Sequence, residues 1–252
     1  MIRQRLTGLA AIVVLLFGGV PQAAAQNALP SAPAVAPTAT PLPAPTNPSP
    51  ATAALVKNVQ DYYLKAGDFS ARFTQRYHSK LTRRVSESGG TVEFAKPVKM
   101  RWEYDPPDRK AFISDGQTLW VVHWEEKSAT VHPDLKSSEL ESSLGFLWGG
   151  GDLLLNYAVN RLDLPNVEGI VETKGRIVLE LVPKKPAQFD TLYLLVDPAS
   201  YRIEEAVLVD SLGNLNHLAF TAPKTRLALG KDRFVFTPPP GWTVEKTGGS
   251  TP

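Results

Sequence analysis

The strongest constraint on the fold is an alternation of apolar and polar residues with a period of two. Over 69–77 the residues Phe69, Ala71 and Phe73 alternate with polar ones, and 98–104 repeats the pattern. Such alternation is typical of strands that bury one face. Further strand-like runs follow at 111–113, 119–122, 177–182, 191–196, 203–209, 215–221 and 234–236. No helix of crossover length separates them, so the sequence predicts a mostly antiparallel sheet.

Two regions have helical rather than strand periodicity. Ser49 and Pro50 resemble a helix cap and a first helical residue, and Gly67 is a stop signal. The second region, 134–158, indicates two short helices hinged at the glycines 149–151. Their apolar stripes are Leu140, Leu144 and Leu147, then Leu153, Leu154, Tyr157 and Ala158. Because each element must bury one apolar face, we expect an α+β fold with helices covering one face of a curved sheet.

The N-terminal 50 residues differ in composition from the rest. Arg3 and Arg5 precede an apolar stretch and three alanines at 23–25, which is typical of a cleaved signal peptide over 1–25. Residues 26–50 contain eight prolines and no charge, which indicates a Pro/Ala-rich linker, although a ligand for a proline-binding module stays open. We expect export, a folded domain over 51–246 and a disordered tail over 247–252.

Composition excludes several functions. The chain has 27 Lys and Arg against 25 Asp and Glu, and two of the basic residues lie in the predicted signal peptide. The mature protein is then close to neutral, which excludes a general nucleic-acid binder. Without cysteine there are no disulfides, no thiolate chemistry and no lipid-modified cysteine. Four scattered histidines, and no nucleophile-elbow or phosphate-loop motif, predict no enzyme, no metal and no cofactor.

Several short motifs together resemble one family. They are 73–75 (FTQ), 90–97 (GTVEFAKP), 100–104 (MRWEY), 113–120 (ISDGQTLW) and 234–241 (FVFTPPPG). In their order and spacing they resemble the LolA family, the periplasmic lipoprotein carriers of Gram-negative bacteria. The resemblance implies an incomplete antiparallel β-barrel, a curved sheet whose apolar concave face is closed by a helical lid.

The same resemblance implies a function. A LolA-like protein is a monomer of the periplasm that binds the acyl chains of lipoproteins. It would take them from an inner-membrane ABC transporter of the LolCDE type and pass them to an outer-membrane acceptor of the LolB type. LolB shares the fold but is itself a lipoprotein, so the absence of cysteine excludes it here.

Site residues follow from the resemblance and the alternation. The cavity residues are Phe73, Phe94, Met100, Trp102, Tyr104 and Trp120; the lid residues are Leu140, Leu144, Leu147, Trp148 and Leu154. Lys96 stands where the family usually has an arginine that helps to hold the lid closed, and it offers a point charge instead of a planar fork. Periodicity alone does not separate aromatic residues of a core from those that line a cavity.

Three other functions stay open from the sequence. A carrier of another lipid would have the same sequence features. A lipoprotein-sensing regulator of the RseB type shares the fold, although it normally has a second C-terminal domain. An acyl-transferring enzyme belongs to a different class, and the sequence has no nucleophile and base at a recognisable spacing.

Overall fold

The computed structural model describes residues 48–133, 152–187 and 189–247. The predicted signal peptide, most of the predicted linker, the lid positions Leu140, Leu144, Leu147 and Trp148, and residues 248–252 lie outside them. The described helices are α1 (Pro50–Ala66), α2 (Leu153–Asn156) and a 3-10 helix (Lys231–Phe234). The strands are β1 (Asp68–His78), β2 (Val85–Ala95), β3 (Lys99–Tyr104), β4 (Lys110–Ser114), β5 (Leu119–His123), β6 (Ser128–His132), β7 (Tyr157–Leu162), β8 (Asn166–Val167), β9 (Val171–Glu172), β10 (Ile177–Pro183), β11 (Thr191–Val196), β12 (Ile203–Val209), β13 (Leu215–Leu227) and β14 (Thr243–Lys246).

Twelve of these strands form one curved, unclosed sheet. Their spatial order is β14-β6-β5-β4-β3-β2-β1-β13-β12-β11-β10-β7, and β8 pairs with β9 in a separate hairpin. Every neighbouring pair in the large sheet is antiparallel except β14 with β6, which is parallel. The prediction of a mostly antiparallel, incomplete barrel is therefore confirmed at the level of the sheet.

Helix α1 lies across the concave face of the sheet. The Ser49 hydroxyl accepts a hydrogen bond from the Thr52 N–H at 3.2 Å, and the helix ends at Gly67, whose φ of 66° suits glycine. Leu55, Val56, Val59 and Tyr63 are buried against the sheet, and the Ile203 N–H donates to the Tyr63 hydroxyl at 3.2 Å. The predicted first helix is confirmed, and it begins at Pro50, the last residue of the predicted linker.

Two predicted elements differ from the structure. The second helix of the 134–158 region is helical only over Leu153–Asn156; Tyr157 and Ala158 begin β7, because they pair with Pro183 and Val182 of β10. The predicted strand at 234–236 is not one: Phe234 ends the 3-10 helix and is buried, and Phe236 packs on the outer face of the sheet. Long-range pairing and burial override local periodicity at both places.

Two separate clusters cover the outer, convex face. The first, named the hairpin cluster, lies under β8 and β9 and consists of Val167, Val171, Val178, Tyr193, Leu195, Val207 and Leu215. The second, named the tryptophan cluster, packs Trp120, Trp124, Phe236 and Trp242 against Ala111, Ile113 and Val122. Phe236 and Trp242 belong to the C-terminal segment, which continues into β14. Beyond β14, the Thr247 N–H donates to the Val131 carbonyl at 3.0 Å. Thr247 thus belongs to the fold and not to the predicted tail.

Candidate functional site

The concave face and α1 enclose an apolar interior, named the interior cluster. Five of the six predicted cavity residues lie in it: Phe73, Phe94, Met100, Trp102 and Tyr104, none more than 2% exposed. The rings form a continuous set of contacts, with the Phe73 centroid 4.9 Å from that of Trp102 and 5.0 Å from that of Tyr104. Alternation along β1 and β3 turns these side chains to the same face, as their spacing predicts.

Trp120 lies on the opposite face of the sheet. Its neighbours on β5, Leu119 and Val121, point into the interior cluster, so strand alternation directs Trp120 outward. There its ring contacts Phe236 at a centroid distance of 5.5 Å. We therefore correct the assignment of Trp120 from the cavity to the tryptophan cluster.

One part of the interior is polar. The buried Gln75 amide accepts a hydrogen bond from the Tyr104 hydroxyl at 2.7 Å and donates to the Asn216 side-chain oxygen at 2.9 Å. Burial raises the pKa of Tyr104, so its hydroxyl stays protonated as a donor. Sequence reasoning missed this network, although Gln75 falls in the alternation of β1 at an inward position.

The described interior is almost filled. A gap of ≈ 20 Å³ lies among Tyr63, Phe69, Phe94 and Phe220, and it has room for about one water molecule. A larger cleft of ≈ 330 Å³ lies at the C-terminal end of α1, against the turn between β11 and β12 and the end of β13. An acyl chain therefore enters the gap only if the surrounding side chains or α1 move.

The structure gives Lys96 a contact with α1. The Lys96 ammonium donates to the Leu64 carbonyl at 2.5 Å, in the last turn of the helix, where carbonyl groups lack intrahelical partners. Of the predicted lid residues only Leu154 is described, and it packs, partly buried, against the interior cluster. A contact of Lys96 with 134–151 lies outside the described residues, so its role in holding a lid stays a prediction.

We expect Lys96→Met to lower the free energy of unfolding by about 1 kcal/mol, because the Leu64 carbonyl loses a charged donor. For a domain of this size this corresponds to about 2–4 °C in Tm, measured by thermal denaturation followed by circular dichroism. Lys96→Arg should retain most of the stability. Lys99→Met is the control, since no described hydrogen bond involves the Lys99 side chain; an equal loss in both methionine variants would contradict the role of Lys96.

Metal-ligating side chains are not grouped in the part of the chain that the structure describes. No group of three or more His, Asp or Glu side chains among them is arranged to hold a metal ion. His78 and His217 lie on β1 and β13, and His123 and His132 lie on β5 and β6. None of the helices that the structure describes is both long and apolar enough to cross a membrane.

The fold and the interior together define an open, curved β-sheet protein with an apolar interior. Comparison with known proteins narrows this class: the family model described as outer membrane lipoprotein carrier protein LolA matches residues 65–237. The chain belongs to the LolA family.

The chain is also similar to individual proteins of known sequence or structure. The chain is 29% identical over 202 residues to an outer-membrane lipoprotein carrier protein of Nitrosomonas europaea, which covers 78% of this chain and 91% of the relative. It is 30% identical over 207 residues to the protein of the same name in Cupriavidus taiwanensis, with 79% and 90% covered. The crystal structure of a LolA superfamily protein from Nitrosomonas europaea aligns with a TM-score of 0.42 at 12% identity, covering 73% of this chain and 97% of that one.

Proposed function

We propose that this protein is a periplasmic carrier that binds the acyl chains of lipoproteins in its interior and shuttles them from the inner to the outer membrane. The observation that carries the proposal is the aromatic interior cluster between α1 and the concave sheet. Membership of a family of lipoprotein carriers supports it.

The free energy of moving an acyl chain from water into an apolar environment is consistent with such an interior. Each CH₂ group removed from water contributes about 0.8 kcal/mol, so a carrier needs an interior nearly as apolar as a membrane. In this structure Phe73, Phe94 and Trp102 satisfy that need by packing on one another. Loading then exchanges contacts between these rings for contacts with acyl chains. Because one set of apolar contacts replaces another, the net affinity stays low enough for release.

The remaining parts of the proposal concern the export of the protein and the path of its lipoprotein cargo between the two membranes. We propose that residues 1–25 direct export and are removed, that 26–50 act as a spacer, and that a lid from the 134–151 region closes the interior together with Leu154. An inner-membrane ABC transporter of the LolCDE type would supply the work of opening, and an acceptor of the LolB type would receive the cargo. The protein would act as a monomer without a catalytic step.

The proposal is tested with a variant of Phe220. This partly buried ring lines the gap and lies 6.2 Å from the Trp102 ring, so Phe220→Glu places a carboxylate beside the acyl chains. Because desolvation of a carboxylate costs several kcal/mol, we expect affinity for palmitate to fall at least about tenfold. Displacement of an environment-sensitive apolar dye measures it.

A matched variant separates the interior from the surface. Val235 is 55% exposed, so Val235→Glu adds the same charge outside the gap and should leave palmitate binding unchanged. Circular dichroism checks that both variants fold. Equal palmitate affinity in folded Phe220→Glu and wild-type protein would rule out the interior as the acyl-binding site.

A further inference from the structure

The apolar gap and the polar cleft are neighbours. Tyr62 and Thr225 line both of them. On one side of this shared wall lie aromatic and aliphatic side chains, among them Phe69, Phe94 and Phe220. On the other side lie the polar residues Asn58, Asp61, Lys65, Ser200 and Arg226. A molecule that occupies both spaces must therefore have an apolar part joined to a polar part.

The charges of the cleft favour an anion. Its cationic side chains are Lys65 on α1 and Arg226 on β13. In the part of the chain that the structure describes, neither of them lies within ion-pair distance of a carboxylate. Asp61, the acidic residue of the cleft, is instead paired with Lys57 at 2.7 Å, and the hydrogen bond from Lys57, together with the nearby charges of Lys57 and Lys65, lowers the pKa of Asp61. Two cations thus face the cleft while its carboxylate is already engaged.

The backbone of β13 forms the wall that carries Arg226. The pairing of β1 with β13 shifts register twice, between Asp68 and Ser70 and between Ser70 and Arg72. Opposite these irregularities, Ala222 and Arg226 have positive φ values of 47° and 56°. Bulged pairing of this kind bends a strand and redirects its side chains. The end of β13 therefore bends beside the C-terminal end of α1, and Arg226 lines the cleft together with Lys65.

We propose that this cleft is a head-group site for an amphiphile that carries an anionic oxygen group, which Lys65 and Arg226 bind while the acyl chain occupies the interior. The inference rests on the proposed function, because it assigns the polar end of a ligand whose apolar end fills the gap. A phosphodiester of a phospholipid and a carboxylate near the acylated end of a lipoprotein share this chemistry. Arginine and lysine bind both kinds of group.

The experiment compares amphiphiles that have the same chain and different heads. Palmitoyl-lysophosphatidylglycerol and monopalmitoylglycerol, each below its critical micelle concentration, displace an apolar dye from the protein. We expect the anionic lipid to bind about tenfold more tightly, since charge-assisted hydrogen bonds exceed neutral ones. The double variant Lys65→Glu/Arg226→Glu should remove this preference while leaving the affinity for monopalmitoylglycerol unchanged. Both side chains are exposed, so the variant should fold.

A second pair of ligands distinguishes the two sources of the anion. Palmitoylated peptides with Asp or Asn next to the acylated residue differ only in one carboxylate. A preference of the wild-type protein for the Asp peptide, lost in the double variant, identifies a lipoprotein carboxylate as a ligand. A preference confined to lysophosphatidylglycerol identifies a phosphodiester. Either result supports the head-group site.

Lys174→Glu provides the control, because this lysine is 70% exposed in the turn between β9 and β10 and does not line the cleft. It should retain the preference for the anionic lipid. Equal affinity of the wild-type protein for both lipids and for both peptides would overturn the head-group site and leave the acyl-binding interior standing. If no amphiphile displaced the dye, the proposed function would fall and the head-group site with it.

Discussion

Replacing Phe73 by alanine is expected to lower the free energy of unfolding by about 3–5 kcal/mol and, at the same time, to strengthen acyl-chain binding about tenfold. The Phe73 ring is buried and contacts Trp102 and Tyr104, so its removal leaves a cavity in the empty protein. An acyl chain that fills this cavity restores apolar contacts that the variant has lost. Urea denaturation measures the first effect, and titration with palmitate measures the second.

The two effects need a control that loses an aromatic ring elsewhere. Trp120→Ala removes a ring from the tryptophan cluster on the outer face, where it contacts Phe236. It should lower stability without changing palmitate affinity. If Phe73→Ala bound palmitate more weakly than the wild-type protein, the ring would be a direct ligand of the chain instead of its substitute in the empty state.

Among the glycines that the structure describes, Gly90 is the one at which replacement by alanine is expected to lower stability most. A Cβ atom at this position would lie 1.9 Å from the Glu103 carbonyl oxygen and 2.8 Å from the Phe73 ring. Residue 90 pairs with both Phe73 of β1 and Tyr104 of β3, so neighbouring strands on both sides prevent the backbone from moving away. We expect a loss of about 3 kcal/mol. Thermal denaturation should show a Tm lower by about 6–12 °C.

Gly230→Ala serves as the comparison for this variant. Gly230 has a φ of −60°, and an added Cβ would meet no atom within 4 Å. Its Tm should stay close to that of the wild-type protein. A Gly90→Ala protein with the same Tm would mean that β2 does not approach β3 as closely as the structure has it.

The strands predicted from the sequence are those with a marked apolar pattern, either alternating, as in β1 and β3, or continuous, as in β11. Alternation finds β1 and β3 because their inward side chains are buried while their outward side chains are polar and at least partly exposed. It does not find β2, in whose first half, Val85 to Ser88, every residue is exposed. Pairing with β1 holds that half in place, and hydrogen bonds between backbones leave no pattern in the side chains.

The candidate site, like the strands, could be predicted from the sequence only where the apolar pattern shows which face is buried. Five inward residues follow from alternation and family resemblance, whereas Trp120 stands in the continuous apolar run 119–122, whose period does not say which face is inward. The residues that pack on the outer face of these strands are distant from them in the sequence. Arg233, for example, binds Glu93 through two hydrogen bonds of 2.8 and 2.7 Å across 140 residues. Local patterns contain no information on such contacts.

The clusters on the convex face have a consequence for how the protein tolerates being full or empty. The hairpin cluster, the tryptophan cluster and the interior cluster have no residue in common. Exchanging the contents of the interior therefore leaves the contacts that brace the sheet from behind intact. We therefore expect the strands to keep their register when cargo is bound, while the binding itself raises the free energy of unfolding by linkage.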